Sequence, residues 1–471
     1  RRLVKLQETM KLLCLCATVC LFNQAVAFQS INGVKLQSAT PPYNKPSPTC
    51  RTRPSRLGWK MVYTPEREAV KQAKLTKSIK TPDPIPEEGI RLATELMKTG
   101  RLYRYNSDSA DTCMVSRCEK ALAEYTGHKY CVALNSCGSA IFMSLKCVGA
   151  QPGDKVLSNA FTFTAVPSAI VHAGCEPVYV ECTENYLMDP EHLAKMADET
   201  GAKYCMISHM RGKVADMDKI EQVCKDRGIV LLEDCAHSLG VYWRGEHTGH
   251  KGVMSCFSSQ SYKMLNSGEG GFLLTDDDEL AAKMILYAGA YEKLYHKHSL
   301  RPADEIFEEI KHEIPNYSMR MHGVTAAMIY PQISTLDERI EKYNRRYLDI
   351  VEPRLNAVRN IKVPKQLKEV SPVYDSVQFN VHGMSEEQLQ KFIQAAGANG
   401  VPIEVFGAKS NARYFRNWRY TADSIPQFDH LPKTEEVIKW ACDVRLPLMF
   451  QDEDFHTICD VIEDAMDKAM A

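Results

Sequence analysis

Residues 231–271 read LLEDCAHSLGVYWRGEHTGHKGVMSCFSSQSYKMLNSGEGG, and their interpretation decides the fold. The stretch begins inside an apolar run, Ile229-Val230-Leu231-Leu232, which ends on Glu233 and Asp234. An unbroken apolar run of this length reads as a strand buried on both faces, the pattern of a parallel sheet. Such sheets bind ligands beyond the carboxyl ends of their strands, which is where Asp234 falls. A second short apolar stretch leads to Phe257 and Ser258. Lys263 follows, 29 residues after Asp234, and then the turn-rich run Asn266-Ser267-Gly268-Glu269-Gly270-Gly271.

A lysine that forms a Schiff base and a carboxylate that pairs with a pyridinium nitrogen are a protein's two main contributions to pyridoxal phosphate chemistry. Ser258, five residues before the lysine, adds a hydroxyl suited to a phosphate. Glu233-Asp234, Ala236-His237, Phe257-Ser258, Lys263 and Gly268 to Gly271 resemble, in order and spacing, the DegT/StrS family of pyridoxal-phosphate aminotransferases. The resemblance runs over roughly residues 87–465. The competing reading is a surface lysine and a helix-capping aspartate in an unrelated α/β protein. It leaves the matches in distant segments unexplained.

The resemblance implies an α/β fold of PLP-dependent fold type I. A mostly parallel, seven-stranded-type sheet forms a large domain, followed by a smaller α+β C-terminal domain. It implies Lys263 as the Schiff-base lysine and Asp234 as partner of the pyridine nitrogen. His237 would hydrogen-bond the phenolic oxygen or position Asp234. Gly138, Ser139 and Ser258 would bind the phosphate, and Phe163 would stack on the cofactor ring unless it is a core phenylalanine. Pro315-Asn316-Tyr317-Ser318-Met319-Arg320 resembles a family segment that crosses a homodimer to the neighbouring site. Arg320 is kept, but Ser318 stands where the family has Asn, so the hydrogen bond that Asn makes is expected to be lost, altered or taken by Asn316.

The reaction implied is a ping-pong transfer of an amino group from glutamate or glutamine to a keto sugar or keto cyclitol, with no metal. Two alternatives stand beside it. A sugar dehydratase of this family would carry histidine in place of Lys263. A non-catalytic PLP-binding regulator would be expected to have lost the Lys263/Asp234 pair.

The 471 residues carry 58 Lys/Arg against 59 Asp/Glu, and 44% are hydrophobic, as in an ordinary globular enzyme. The charge is uneven. Residues 1–63 hold ten basic residues and one acidic, leaving 48 basic and 58 acidic in the remainder. An acidic body argues against a nucleic-acid surface. The 17 cysteines include no paired CxxC knuckles, so free buried thiols are expected rather than a structural zinc site.

From Met10, read as the initiator, the chain has the layout of a signal peptide, with Ala25-Val26-Ala27 as its cleavage site. The apolar run is too short for a membrane span, so the mature form is expected off the membrane. A basic Ser/Thr/Pro-rich segment follows Phe28, and no acid occurs between Glu8 and Glu66. This resembles the two-part leaders of secondary plastids, as in diatoms and related algae. The alternative is secretion, or residence in the endomembrane lumen, with a flexible N-terminal tail.

Residues 1–63 are therefore read as leader, 64–86 as a Pro-rich linker and 87–320 as the large PLP-binding domain. Residues 321–471 are read as a connecting helix and the small domain. Strands are expected at 132–134, 155–158, 176–180, 204–208, 229–232 and 272–275, alternating with helices, as in a parallel-rich sheet. The turn Asn135-Ser136-Cys137-Gly138-Ser139 before an apolar helix is a natural anion site, because first-turn N–H groups are free. Tyr291, Tyr295, His296 and His298 are candidates for substrate contact or for a solvated face. One long helix is expected over about 324–355, then strands at 361–363, 374–381 and 402–405.

Overall fold

Residues 73–421 and 427–471 are described in this computed structural model. The leader lies outside them. Strands β1 (Tyr130–Leu134), β2 (Lys155–Asn159), β3 (Glu176–Val180), β4 (Tyr204–Ser208) and β5 (Val230–Asp234) appear where apolar runs placed them. The short β6 (Tyr242–Trp243) and β7 (Glu246–His247) come next, then β8 (Met254–Ser258) and β9 (Gly271–Thr275). The central sheet has seven strands in the order β1-β9-β8-β5-β4-β2-β3. β2, β3, β4, β5 and β8 pair in parallel, while β9 runs antiparallel to both its neighbours.

The strands are unbroken apolar runs because both faces are covered. Cys205, Ile207 and Leu231 enter one helix-backed core, while Tyr204, Met206 and Leu232 enter the opposite one. This is the two-residue alternation of a strand used twice. Each such buried aliphatic side chain stabilises the fold by about 1.5–3 kcal/mol. Buried Glu233 breaks the pattern and is fully engaged. It accepts from the N–H groups of Gly249 (3.0 Å) and Gly252 (2.6 Å) and lies 2.8 Å from His209 Nε2.

The expected long helix is in fact several segments. Gly323–Ile333 ends at Ser334-Thr335, and the chain resumes as Leu336–Arg346, a π-turn over Tyr347–Val351, and Glu352–Ala357. Ala326, Ala327 and Ile329 pack in the large-domain core, whereas Tyr347, Val351 and Leu355 pack in the small-domain core. The chain stays in the large-domain core across the break, where Ile333, Leu336 and Tyr343 pack together, and passes to the small-domain core at the π-turn, so the first two helices sit with the large domain although they lie beyond residue 320.

Strands β10 (Ile361–Lys362), β12 (Ser376–Val381) and β13 (Glu404–Val405) meet the expectation, with β11 (Val370–Ser371) joining β6 and β7 in a separate sheet. The strand β14 (Ala441–Arg445) was not anticipated, yet it is central, pairing with both β12 and β13. Helices Glu386–Ala398 and Asp452–Met470 pack beside it, the first closed by a Ser385/Gln388 capping box. The described part of the linker is docked: Leu75 and Ile79 are buried in the small-domain core, and Leu75 N–H donates to Asn399 O at 2.9 Å.

An aromatic seam joins the two domains. Phe161 and Tyr186 of the large domain meet Phe406, with the Phe161 and Phe406 rings 4.8 Å apart. Glu181, at the end of β3, accepts from Thr434 N–H (2.7 Å) and so caps the helix Pro432–Lys439 across the seam. The small domain is thereby held over the carboxyl edge of the sheet.

Candidate active site

The carboxyl edge gathers residues scattered through the chain. Register places Ser208 beside Asp234, and Asp234 beside Cys256. Ser258 ends the next strand. Because β9 runs backwards, its first residue, Gly271, arrives at the same edge, opposite both Leu134 and Ser258. These elements wall a cavity of about 580 Å³ lined by Gly138, Phe163, Asp234, His237, Ser258 and Lys263, all named from sequence.

Asp234 is buried and accepts from Ser208 Oγ (2.7 Å) and Ala236 N–H (3.1 Å). Burial pushes its pKa up, opposed by those two donors and by Lys263. Lys263 Nζ lies 2.7 Å from His237 Nε2. Burial and the Arg211 guanidinium bring the lysine down to about 8, with Asp234 pulling the other way. Burial and the neighbouring lysine hold His237 well below its usual pKa, so the imidazole is neutral. A neutral ring that accepts a hydrogen bond from Lys263 on Nε2 carries its proton on Nδ1, and that Nδ1 is buried without a partner. The expectation that His237 positions Asp234 is therefore replaced: Ser208 and Ala236 hold the carboxylate, and His237 touches the lysine.

At the other end of the cavity, Ser136 caps the helix Cys137–Cys147 by accepting from Ser139 N–H (3.1 Å). The first-turn N–H groups of such a helix lack intrahelical acceptors. A Cβ at Gly138 would meet nothing nearer than Ser136 Oγ at 3.8 Å, so the glycine leaves an open cradle. Ser139 differs from expectation. Its hydroxyl is spent on Asn135 Oδ1 (2.7 Å), and Ser136 lines the cavity in its place. Phe163 is not a core residue. It is 42% exposed on the cavity wall, under the Arg413 guanidinium at 5.5 Å.

These features fit pyridoxal phosphate. The cavity has a depressed lysine for an aldehyde, a buried carboxylate in need of a cation, a glycine cradle with free N–H groups for phosphate, and an exposed ring for a flat face.

Arg320 does not line this chain's own cavity. Its guanidinium donates to the carbonyls of Ala288 and Gly289 (both 3.2 Å) and lies 5.4 Å from the Tyr103 ring. Asn316 Oδ1 accepts from Ser318 N–H (2.7 Å) and Ser318 Oγ (3.1 Å), a local turn within this segment. Tyr295 and His298 are buried, His298 against Arg104 (3.2 Å) and Tyr105 (2.9 Å), so both hold structure. The described cysteines are free thiols, nearly all buried.

Sequence reasoning missed Lys80, Arg211, Arg413 and Arg445, all on the cavity wall. Arg211 has φ 57° and pairs with Asp443 in the buried interior. Arg445 lies over the Tyr262 ring at 4.3 Å. The signal available for Arg211 was a basic residue after β4, in His209-Met210-Arg211-Gly212. Arg445 opens the run Arg445-Leu446-Pro447-Leu448, which resembles a family landmark without a role attached to it, and nothing local marks Lys80 or Arg413.

Residues 87–463 match the model of the DegT/DnrJ/EryC1/StrS aminotransferase family. The spore coat polysaccharide biosynthesis protein SpsC of Bacillus subtilis is 34% identical over 269 residues, which is 56% of this chain and 66% of that protein. The 3-amino-5-hydroxybenzoate synthase of Amycolatopsis mediterranei is 28% identical over 381 residues, 79% of this chain and 93% of that one. A crystal structure of 3-amino-5-hydroxybenzoic acid synthase superposes with a TM-score of 0.70 at 22% identity, covering 84% of this chain and 100% of the other. That last likeness bears on the fold.

Proposed function

We propose that this chain, which belongs to the DegT/DnrJ/EryC1/StrS aminotransferase family, moves an amino group from glutamate or glutamine to a keto sugar or keto cyclitol. The observation that carries the reading is the pairing, in one cavity, of Lys263 held near pKa 8 with the buried carboxylate of Asp234. The names of the relatives, a polysaccharide biosynthesis protein and an aminohydroxybenzoate synthase, favour a carbocyclic or sugar-like acceptor.

Pyridoxal phosphate, when bound, supplies an aldehyde that takes up amino groups and a ring that accepts an electron pair. The chain's own residues do the rest. Gly138, the free N–H groups of its turn and Ser258 would bind the phosphate, with Ser136 a better candidate than Ser139 for the second hydroxyl. Phe163 would cover one ring face. Asp234, fixed by Ser208 and Ala236, would keep the pyridine nitrogen protonated, because its raised pKa favours a shared proton or an adjacent cation. Lys263 Nζ is half neutral near pH 8 and can take the proton released from the donor's α-carbon. His237, neutral beside it, accepts a hydrogen bond from that nitrogen and orients it. The retained lysine speaks against a dehydratase.

The assembly proposed is a homodimer in which Arg320 serves the partner's site, supported by its absence from this chain's own cavity. The proposed location is a secondary plastid, supported by the leader's composition.

The test of the reading is spectroscopic. Protein purified with pyridoxal phosphate should be yellow, and glutamate or glutamine should bleach it to the pyridoxamine absorbance. Lys263→Ala should abolish both the bleaching and the adduct fixed by borohydride. A wild type that no amino donor converts would favour a cofactor-binding regulator instead.

A further inference from the structure

Arg413 and Arg445 come from the small domain, yet both wall the cavity that holds Lys263. Each guanidinium lies on an aromatic ring of the large domain, Arg413 on Phe163 at 5.5 Å and Arg445 on Tyr262 at 4.3 Å. Stacking of this kind fixes the plane of the group and leaves its N–H edge to meet a ligand.

Neither arginine is satisfied. Arg413 Nε and Arg445 Nη1 are buried without a hydrogen-bond partner. Arg413 reaches Glu404 and Asn411 only at 3.4 Å, and among the described residues no carboxylate lies within 4.0 Å of Arg445. Burial and nearby Arg211 lower Arg413 to about 10, the mark of cations crowded without enough anion. Buried cationic donors left unpaired are costly, so their retention at the mouth of a cavity points to an anion that pairs them. The cofactor phosphate has its own donors at the turn around Gly138.

The donor's α-carboxylate is one such anion, but it serves only half of the reaction. In a ping-pong transfer the acceptor must bring its carbonyl carbon into the same cavity, beside Lys263, to take up the amino group left there by the donor after the donor's carbon skeleton has gone. A neutral acceptor would then leave the same buried N–H groups unpaired. Sites built to hydrogen-bond a group reject analogues that lack it, by about 100-fold or more.

We propose that the amino acceptor is acidic: a keto sugar or keto cyclitol bearing a carboxylate or phosphate, gripped by Arg413 and Arg445. This rests on the aminotransferase reading above and narrows its acceptor.

The experiment has two arms. In the first, holoenzyme is converted by glutamate or glutamine, which by itself checks the aminotransferase reading. The pyridoxamine form then meets a neutral inosose, a keto-uronic acid and a keto-hexose phosphate. We expect at least one acidic acceptor to exceed the inosose in kcat/KM by about 100-fold or more, and the better one identifies the anion. Arg413→Gln and Arg445→Gln should each cut that preference by about 10-fold or more, with Arg413→Lys recovering part of it. An inosose used as well as both acids overturns the proposal, as does a loss in the variants that is equal for neutral and acidic acceptors.

The second arm needs no turnover. Calorimetry on holoenzyme should show gluconate or 6-phosphogluconate binding where sorbitol does not, and the Arg413→Gln/Arg445→Gln double variant should lose it. If no donor converts the enzyme, the aminotransferase reading fails and this arm still decides the clamp. Equal binding of gluconate, 6-phosphogluconate and sorbitol overturns it.

Discussion

Lys263 and Asp234 set each other's ionisation, and both signs can be tested. The lysine is pushed down to about 8 by burial and by Arg211 and pulled up by Asp234. Below that pH it is an ammonium, and above it a free amine. In cofactor-free protein, dinitrophenylation of Lys263, followed by peptide mapping, should rise with pH through about 8. Arg211→Gln removes a neighbouring cation and should move the midpoint up. Asp234→Asn removes the anion and should move it down. An unchanged midpoint in both variants would show that burial alone sets the value. Asp234→Asn should also cost about 100-fold or more in turnover with little loss of fold, because an amide cannot hold a ring proton by charge. Lys263 and Asp234 were legible in sequence because each ends or follows a recognisable local pattern. Ser208 and Arg211 were not, since their importance comes from a neighbouring strand and a neighbouring domain.

At the scale of elements, the sheet edge turns on one glycine. Gly271 starts β9 where the helix Cys137–Cys147 begins, and a Cβ there would sit 2.4 Å from Cys137 N and from Ser136 C. Those are backbone atoms, which cannot swing aside. Gly271→Ala should therefore displace the helix N-terminus and weaken pyridoxal phosphate binding by about 10-fold or more, with a fall in Tm. Gly397→Ala is the control. It lies in the helix Glu386–Ala398 with nothing within 4 Å of its Cβ position, so the same change should stabilise by about 0.5–1 kcal/mol. Cofactor titration and thermal melts of both variants check the pair, and a Gly271→Ala protein with unaltered affinity would contradict the geometry. The turn around Gly271 was readable from its glycines, but not the chain it abuts. The break in the expected long helix was hidden for a related reason. Apolar residues continue from Ile333 through Leu336 and Tyr343 to Tyr347, and only the existence of two cores tells that the first three face one and Tyr347 the other. β14 was hidden by Asp443 and Arg445, polar residues that β-strand patterns exclude unless a partner such as Arg211 is known.

At the scale of the molecule, the segment ending at Arg320 has a local anchor and does not line its own cavity. A Cβ at Gly289 would collide with the Arg320 guanidinium, so the fit is close. We expect a two-fold dimer by analytical ultracentrifugation. Mixing inactive Lys263→Ala and Arg320→Ala chains should restore activity through one intact composite site. No recovery from a mixed dimer would place Arg320 in a structural role only. Among the described residues no helix is long and apolar enough to cross a membrane. A fluorescent fusion of residues 10–63 should enter the plastid of a secondary-plastid alga, and Phe28→Ala should divert it. Secretion of both forms would count against plastid import.

The sequence by itself determined the strand–helix alternation, the strand-end carboxylate and the lysine before its glycine turn. These rest on local rules: the two-residue period of strands, the backbone freedom of glycine, and a short spacing that survives any change elsewhere. Only the tertiary structure decided what surrounds that pair. Arg211, Arg413 and Arg445 are far apart in the chain and carry no common pattern; Arg413 and Arg445 reach the cavity because an aromatic seam and a capped helix hold the small domain over the sheet edge, and Arg211 is paired there with Asp443 of that domain. Burial has the same origin. The lysine and aspartate side chains are the same in any chain, but their shifted pKa values belong to the enclosed, charge-crowded space that the fold creates around them.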